Sequence, residues 1–270
     1  MKKLFLIATT VFLLSMPLYA QVNLVGHRGV RHNTPTKPES PYYENTIAAL
    51  KYNQGLGIYG AEFDVQLTAD NKIIVFHGPM VPGIEKSIHS ITFDEARAVI
   101  LPGGHRMPTL EEYLKQGKKD PRTKLILEIK KQSTPERETM AVEQSMAVVR
   151  KMKMEDQIEY TTFSEWAVRE IHRIDPKAKV LFLDSGVFIK DPEYCKSFGA
   201  DAVSYDMNGL MNHPDYIDRA HALGMEVTFW IINDYEPLEW AILHGVDFVS
   251  SDHPEKLKEY LDSIRSFPNR

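Results

Sequence analysis

Cysteine is nearly absent: Cys195 is the only one in 270 residues. No intrachain disulfide can form, and no cysteine lies near the N-terminal apolar run to carry a lipoprotein anchor. Long hydrophobic segments are missing too. Leu4–Met16 is the longest apolar run, short of the ~20 residues that span a bilayer, and nothing of that length follows it. Basic charge is also scarce. The chain holds 32 Lys and Arg against 37 Asp and Glu, a net charge of −5. That balance argues against a nucleic-acid partner, which needs a basic footprint. A phosphate substrate stays open, because a metal ion can supply positive charge locally.

What stands at the N-terminus has the build of a secretory signal over residues 1–20. Lys2 and Lys3 start it, the apolar run follows, and Pro17-Leu18-Tyr19-Ala20 leads to a cut before Gln21. Leu18 is large for its place before the cut, and an uncleaved anchor is the other reading of the segment. Removal of residues 1–20 takes away two lysines and no acid, which makes the mature balance −7. The expectation is an exported protein of the bacterial periplasm with no stable membrane insertion after cleavage. A single domain over residues 21–270 then depends on a packed core, and ~250 residues can build a large one.

Short, nearly all-apolar stretches recur along the mature chain: Val22–Val25, a strand at Ala61, Lys124–Ile129, Ile158–Thr162, Val180–Asp184, Ala202–Tyr205, Val227–Ile232 and Phe248–Ser251. Helical patterns lie between them, near Glu44–Gly57, Pro108–Glu112, Pro135–Lys153, Glu165–Ile174, Pro192–Phe198, His213–Leu223, Pro237–Leu243 and Pro254–Ile264. Strands without polar alternation are buried on both faces and therefore parallel. Eight such units in this length predict an α/β fold, a (β/α)₈ TIM barrel. An open doubly wound sheet is the competing architecture, but no Gly-rich dinucleotide turn follows the first strand. Residues 78–108, with scattered Pro and Gly, read as an insertion after strand two.

The stretch Gly60–His77 organises the chemistry. Glu62 and Asp64 sit two apart and leave the same strand face, roughly 7 Å apart along the chain. Turn residues follow at Thr68–Lys72, and Lys72–His77 returns as an extra hairpin strand outside the barrel. A turn centred near Asp70 puts His77 opposite residue 62 or 63. In a (β/α)₈ barrel the C-terminal strand ends ring one mouth. That rule gathers His27 and Arg28 from strand one, Glu128 and Lys130 from strand three, Trp230 and Asn233 from strand seven, and Asp252 from strand eight. Each has a structural alternative: an ion pair between Glu128 and Lys130, a core role for Trp230, a helix cap at Asp252. Several charged groups in apolar strands nevertheless need pairing or a metal.

His27-Arg28-Gly29, Glu44-Asn45-Thr46, Glu62-Phe63-Asp64-Val65 with Thr68-x-Asp70, Val75-Phe76-His77, Leu127-Glu128-Ile129-Lys130, Trp230 with Asn233, and Asp252-x-Pro254 together resemble the glycerophosphodiester phosphodiesterase family. The resemblance runs in order over nearly the whole mature chain. It implies hydrolysis of a small-molecule glycerophosphodiester to sn-glycerol 3-phosphate and an alcohol, with one divalent cation, Ca²⁺ or Mg²⁺. It implies Glu62, Asp64 and Glu128 as metal ligands and His27 and His77 as the acid/base pair. Arg28, Lys130, Glu44 and Trp230 would bind substrate or shape its pocket. Two departures stand out: Gly78 follows His77 where the family usually has Asp, and the loop from His27 to Glu44 is long, with Arg31, His32 and Lys37 in it. A related phosphodiesterase for lysophospholipid or sphingolipid headgroups is the nearest alternative; it would need an apolar ridge at the mouth. A non-catalytic phosphodiester-binding barrel is the third.

Overall fold

The structure, a computed structural model, describes residues 22–31 and 42–265. The signal-like segment, and His32 and Lys37 of the long loop, lie outside the described residues. Eight parallel strands form the frame: β1 (Asn23–Gly26), β2 (Gly60–Leu67), β3 (Lys124–Ile129), β4 (Ile158–Thr162), β5 (Val180–Asp184), β6 (Ala202–Asp206), β7 (Glu226–Trp230) and β8 (Phe248–Ser251). Each pairs with the next in parallel, and β1 pairs with both β8 and β2, so the sheet closes on itself with helices around it. This is the expected TIM barrel. The return strand is real but shorter than expected, Ile73–Val75, and it pairs antiparallel with β2 outside the ring.

The pleat explains which residues face where. On β2, Phe63, Val65 and Leu67 point outward into the helical layer, and Phe63 stacks on Tyr113 of helix Leu110–Gly117 at 4.3 Å between centroids. Glu62 and Asp64, one residue out of phase, take the inner face. Leu125, Leu127 and Ile129 on β3 do the same for Glu128 and Lys130. The outer layer carries the stability: Phe229 is fully buried there, and truncating such a ring to Ala costs about 3–5 kcal/mol.

Helix Ile47–Leu56 starts where the sequence suggests. Thr46 Oγ1 accepts from Ala49 N at 3.2 Å, and Gly57 closes the helix in the left-handed region at φ 66°. Its buried side is Ala49, Leu50, Asn53 and Gln54. Thr109 caps the next barrel helix through a capping box with Glu112. The helix expected over His213–Leu223 runs over Asp215–Ala222, and a short helix that was not expected, Met207–Asn212, precedes it. The insertion packs a small core of its own, including Phe76, Val81, Ile88, Ile91 and Met107. It also contains a two-stranded hairpin, Met80–Val81 with Lys86–Ser87, that the sequence did not announce.

Candidate active site

At the C-terminal mouth of the barrel, His27, Arg28, Glu62, His77, Glu128, Lys130 and Trp230 all line one cavity of about 200 Å³. Asp64 and Glu44 stand directly behind it, in contact with Arg28. Every residue expected at the site from the sequence is therefore in one place.

The turn after β1 makes this possible. Arg28 takes a left-handed conformation, φ 53°, and Gly29 follows at φ 79°. A side chain at Gly29 would press on Ala49 at 3.0 Å, so only glycine fits the approach of helix Ile47–Leu56. The turn folds the Arg28 backbone N–H onto Glu62 Oε2 at 2.8 Å. The guanidinium then fans across the site: Nη1 donates to Glu44 at 2.9 Å, Nη2 meets His77 Nε2 at 2.7 Å, and Nε lies 3.8 Å from Asp64. Glu44 also holds Arg31 at 2.8 Å. Its place is thus behind the arginines, where it aims Arg28. Burial alone would lower the Arg28 pKa, but Glu44, Asp64 and Glu62 raise it.

Glu62, Asp64 and Glu128 each present a carboxylate oxygen within 4.8 Å of the others, and all three residues are buried. Lys130 Nζ bridges Asp64 at 2.8 Å and Glu128 at 2.7 Å. One lysine does not balance three acids. Burial, Asp64 and Glu128 push Glu62 well above the usual carboxyl range. Burial and Asp64 push Glu128 up to about 8 despite Lys130. Asp64 goes the other way: burial raises it, but Lys130, His77 and Arg28 outweigh that and hold it well below its usual value. Glu62 Oε1 is buried with no hydrogen-bond partner among the described residues. Three converging hard oxygen donors, an unpartnered one among them, fit a Ca²⁺- or Mg²⁺-type cation far better than a soft one.

The two imidazoles differ. His27 Nδ1 lies 2.7 Å from Asp252 Oδ1. Burial would raise Asp252, but the contacts with His27 and Asn233 hold it down at about 2, so the carboxylate can only accept and Nδ1 carries the proton. The other nitrogen, Nε2, is left for the cavity. Asn233 backs this pair: its Nδ2 donates to Asp252 Oδ2 at 3.0 Å, while its Oδ1 accepts from Asp252 N at 2.9 Å and Ser251 Oγ at 3.1 Å. At His77 the partner is Arg28, which only donates, so Nε2 is an acceptor and the ring is neutral. Burial lowers its pKa to about 3, helped by Lys130, Arg28 and His27 and opposed by Asp64. Where the sequence lacks a carboxylate after His77, Gln66 Nε2 clamps the backbone instead, donating to the carbonyls of Phe76, His77 and Gly78 at 3.1, 2.5 and 2.9 Å.

Two supports escaped the sequence reading of single residues. Asn45, left-handed at φ 59°, exchanges a pair of hydrogen bonds with Asp64: Nδ2 to Oδ2 at 2.7 Å, and Asp64 N to Oδ1 at 2.9 Å. Asp252 turns out to orient His27, across 225 residues of sequence. The only local signals were the Asn in the helix-opening motif and an acid at a strand end. Trp230 stands edge-on to Phe163 at 6.0 Å and 85°. Of the insertion's apolar residues Met80, Val81, Ile84 and Ile88, the candidates for a lipid ridge, Val81 and Ile88 are buried in the insertion's own core, leaving Met80 and Ile84 exposed. Among the described residues, no helix is long and apolar enough to cross a membrane.

The chain is similar to known proteins over most of its length. A glycerophosphodiester phosphodiesterase of Caldanaerobacter subterraneus subsp. tengcongensis is 26% identical over 245 residues, covering 87% of this chain and 95% of that protein. A crystal structure of a glycerophosphodiester phosphodiesterase from Parabacteroides distasonis is 34% identical, covers 91% of this chain and 98% of its own, and superposes with a TM-score of 0.82. An Oleispira antarctica phosphodiesterase solved with the product sn-glycerol-3-phosphate shares the fold at 20% identity and a TM-score of 0.77, over 89% of this chain and 96% of that one. The profile of the glycerophosphoryl diester phosphodiesterase family matches residues 27–256, from the first histidine of the mouth to the helix after the last strand, and the chain belongs to that family.

Proposed function

We propose that the protein hydrolyses glycerophosphodiesters to sn-glycerol 3-phosphate and an alcohol, with one divalent cation and the His27–His77 pair as acid and base. The observation that carries this reading is the convergence of three buried carboxylates and two oppositely prepared imidazoles on one cavity. The product bound by the Oleispira relative agrees with it. A cation held by Glu62, Asp64 and Glu128 would neutralise the phosphoryl oxygens as charge builds on them.

The chain's own groups do the rest. Arg28 and Lys130 present donors to the non-bridging oxygens. A phosphate drawing Arg28 towards itself releases His77 Nε2, the nitrogen that the guanidinium otherwise occupies. The neutral His77 ring is then ready to take a proton, while His27, its tautomer fixed by Asp252, faces the cavity with Nε2. One ring takes the proton of the nucleophile and the other returns one to the departing oxygen. Export through residues 1–20 belongs to the same proposal, and the N-terminal sequence of the mature protein checks it.

Glycerophosphocholine and lysophosphatidylcholine, assayed side by side with Mg²⁺, Ca²⁺ or chelator, test the assignment. The expected result is metal-dependent release of sn-glycerol 3-phosphate from the first, and loss of turnover with retained binding in His27→Ala. Preference for the lipid would move the assignment to the lysophospholipid class, and full turnover in excess chelator would remove the cation from the mechanism.

A further inference from the structure

One carboxylate at the mouth serves two guanidiniums. Arg28 Nη1 and Arg31 Nε lie 2.9 and 2.8 Å from the same atom, Glu44 Oε2. The two forks therefore stand side by side, but their settings differ. The Arg28 side chain is only 10% exposed, and its other nitrogens approach His77 and Asp64. The Arg31 side chain is 40% exposed, and Nε is the one guanidinium nitrogen with an acceptor among the described residues. Its two Nη groups carry donors with no acceptor there.

The backbone explains this placement. Val30 is fully buried and anchors the chain just after the turn that follows β1. The Arg31 N–H then donates to the Asp252 carbonyl at 3.2 Å, which pins the residue to the end of β8 at the lip of the barrel. Asn45 N donates to the Arg28 carbonyl at 3.0 Å and so brings Glu44 alongside both arginines. The acids that face Arg31 are Glu44 and Asp252, and each is engaged elsewhere: Glu44 with Arg28, Asp252 with His27 and Asn233. Tyr43 lies within the field of both arginines, but burial and Glu44 keep its hydroxyl protonated. The lip thus carries positive charge that no acid beside it serves alone.

We propose that Arg31 reads the leaving alcohol and favours diesters in which that alcohol carries an anionic group, a carboxylate first. The proposal rests on the phosphodiesterase reading above. With Arg28 on the non-bridging oxygens, an anion a few bonds beyond the ester oxygen falls to the neighbouring fork. A guanidinium presents parallel N–H groups that match a carboxylate, whereas a quaternary ammonium in the same place meets only like charge. The glycerol end is uncharged, so discrimination by charge falls on the alcohol. Arg31 lies in the long stretch from His27 to Glu44 where this chain departs from the family pattern, and the preference is accordingly a property of this chain.

Glycerophosphoserine and glycerophosphoethanolamine differ by a single carboxylate, so the ratio of their kcat/KM values on the full-length, Mg²⁺-saturated protein isolates it. Wild type is expected to favour the serine ester about tenfold, the worth of one charge-assisted hydrogen bond at a part-exposed site. Arg31→Gln keeps a donor for Glu44 and removes the charge. It is expected to bring the ratio near one while the ethanolamine ester turns over as in wild type. Arg31→Lys, with the charge but not the fork, is expected to keep part of the preference. A ratio near one in wild type overturns the proposal. An equal loss on both esters in Arg31→Gln also overturns it, by making Arg31 only a prop for Glu44 and Arg28. If neither diester is turned over, calorimetry on the same protein decides: tighter binding of the serine ester, abolished by Arg31→Gln, would keep the role of Arg31 and reject the activity, and equal binding would reject both.

Discussion

Asp252→Asn is the most informative single change, because the structure leaves the new amide no satisfactory orientation. Residue 252 now accepts on both oxygens, from His27 on one side and Asn233 on the other. Asn233 cannot turn to accommodate a replacement, since its own carbonyl oxygen takes the residue-252 N–H and the Ser251 hydroxyl. If the new amide oxygen faces His27, its NH₂ meets the Asn233 NH₂, and a buried donor goes unpaired at about 1–3 kcal/mol. If the amide turns, its NH₂ faces His27 Nδ1 and forces the ring proton onto Nε2, the nitrogen needed at the cavity. A ring in the wrong tautomer is worth about 10²–10⁴ in rate, the span of general acid–base catalysis. The expected outcome is a kcat lower by that factor, KM within a few-fold, and a melting temperature within a few degrees of wild type. Steady-state kinetics on glycerophosphocholine measures it. The double variant Asn233→Asp/Asp252→Asn restores a consistent chain of donors and acceptors with the charge one residue further out, and is expected to recover part of the loss. Wild-type kcat in Asp252→Asn, or a double variant no faster than the single one, would refute the reasoning.

Glu62→Gln keeps the shape of the side chain and removes one anionic donor; metal affinity, read by titration calorimetry, is expected to fall at least tenfold, and unchanged affinity would place the cation elsewhere. Glu44→Gln weakens the hold on Arg28 without touching the cavity, so KM for the diester should rise while metal affinity stays constant. Metal-free protein should lose stability with rising pH. Glu128, pushed up to about 8 by burial and Asp64, keeps its proton in the folded chain after the unfolded chain has released it, so its contribution is complete below the ordinary carboxyl range and lost as pH rises through about 8. Melting curves from pH 5 to 8 in chelator should slope downward, and Mg²⁺ or Ca²⁺ should flatten them; an upward slope in chelator would contradict the burial argument.

The barrel was legible because its strands are short, apolar on both faces and regularly spaced, which is a local property of the chain. The carboxylates were legible for the converse reason: Glu62, Asp64 and Glu128 interrupt those runs at positions where a charge needs a partner. The hairpin register was readable from the turn alone, since the pairing of Val65 with Val75 extends to place His77 against Phe63. What stayed hidden was long-range or a matter of competing local forces. Nothing near Asp252 indicates His27, and nothing near Glu44 says that it steers Arg28 instead of meeting substrate. The helix Met207–Asn212 was missed because its six residues are fewer than two turns. The insertion's hairpin is only two residues per strand, too short to leave a periodic signature.

The ring is not equally firm all the way round. β1 and β8 share four register pairs, but β1 meets β2 through only two, Val25 with Gly60 and Gly26 with Ala61, and β8 meets β7 through only two. The strand couple that carries His27 and Asp252 is therefore bounded by a thin joint on each side. Any breathing of the staves at those joints would carry the imidazole and its carboxylate along as one cassette, preserving the tautomer while altering how far the ring stands from the acidic cluster across the mouth. One half of the proton chemistry, His27 with Asp252, is thus mounted apart from the strands that carry the carboxylates and His77.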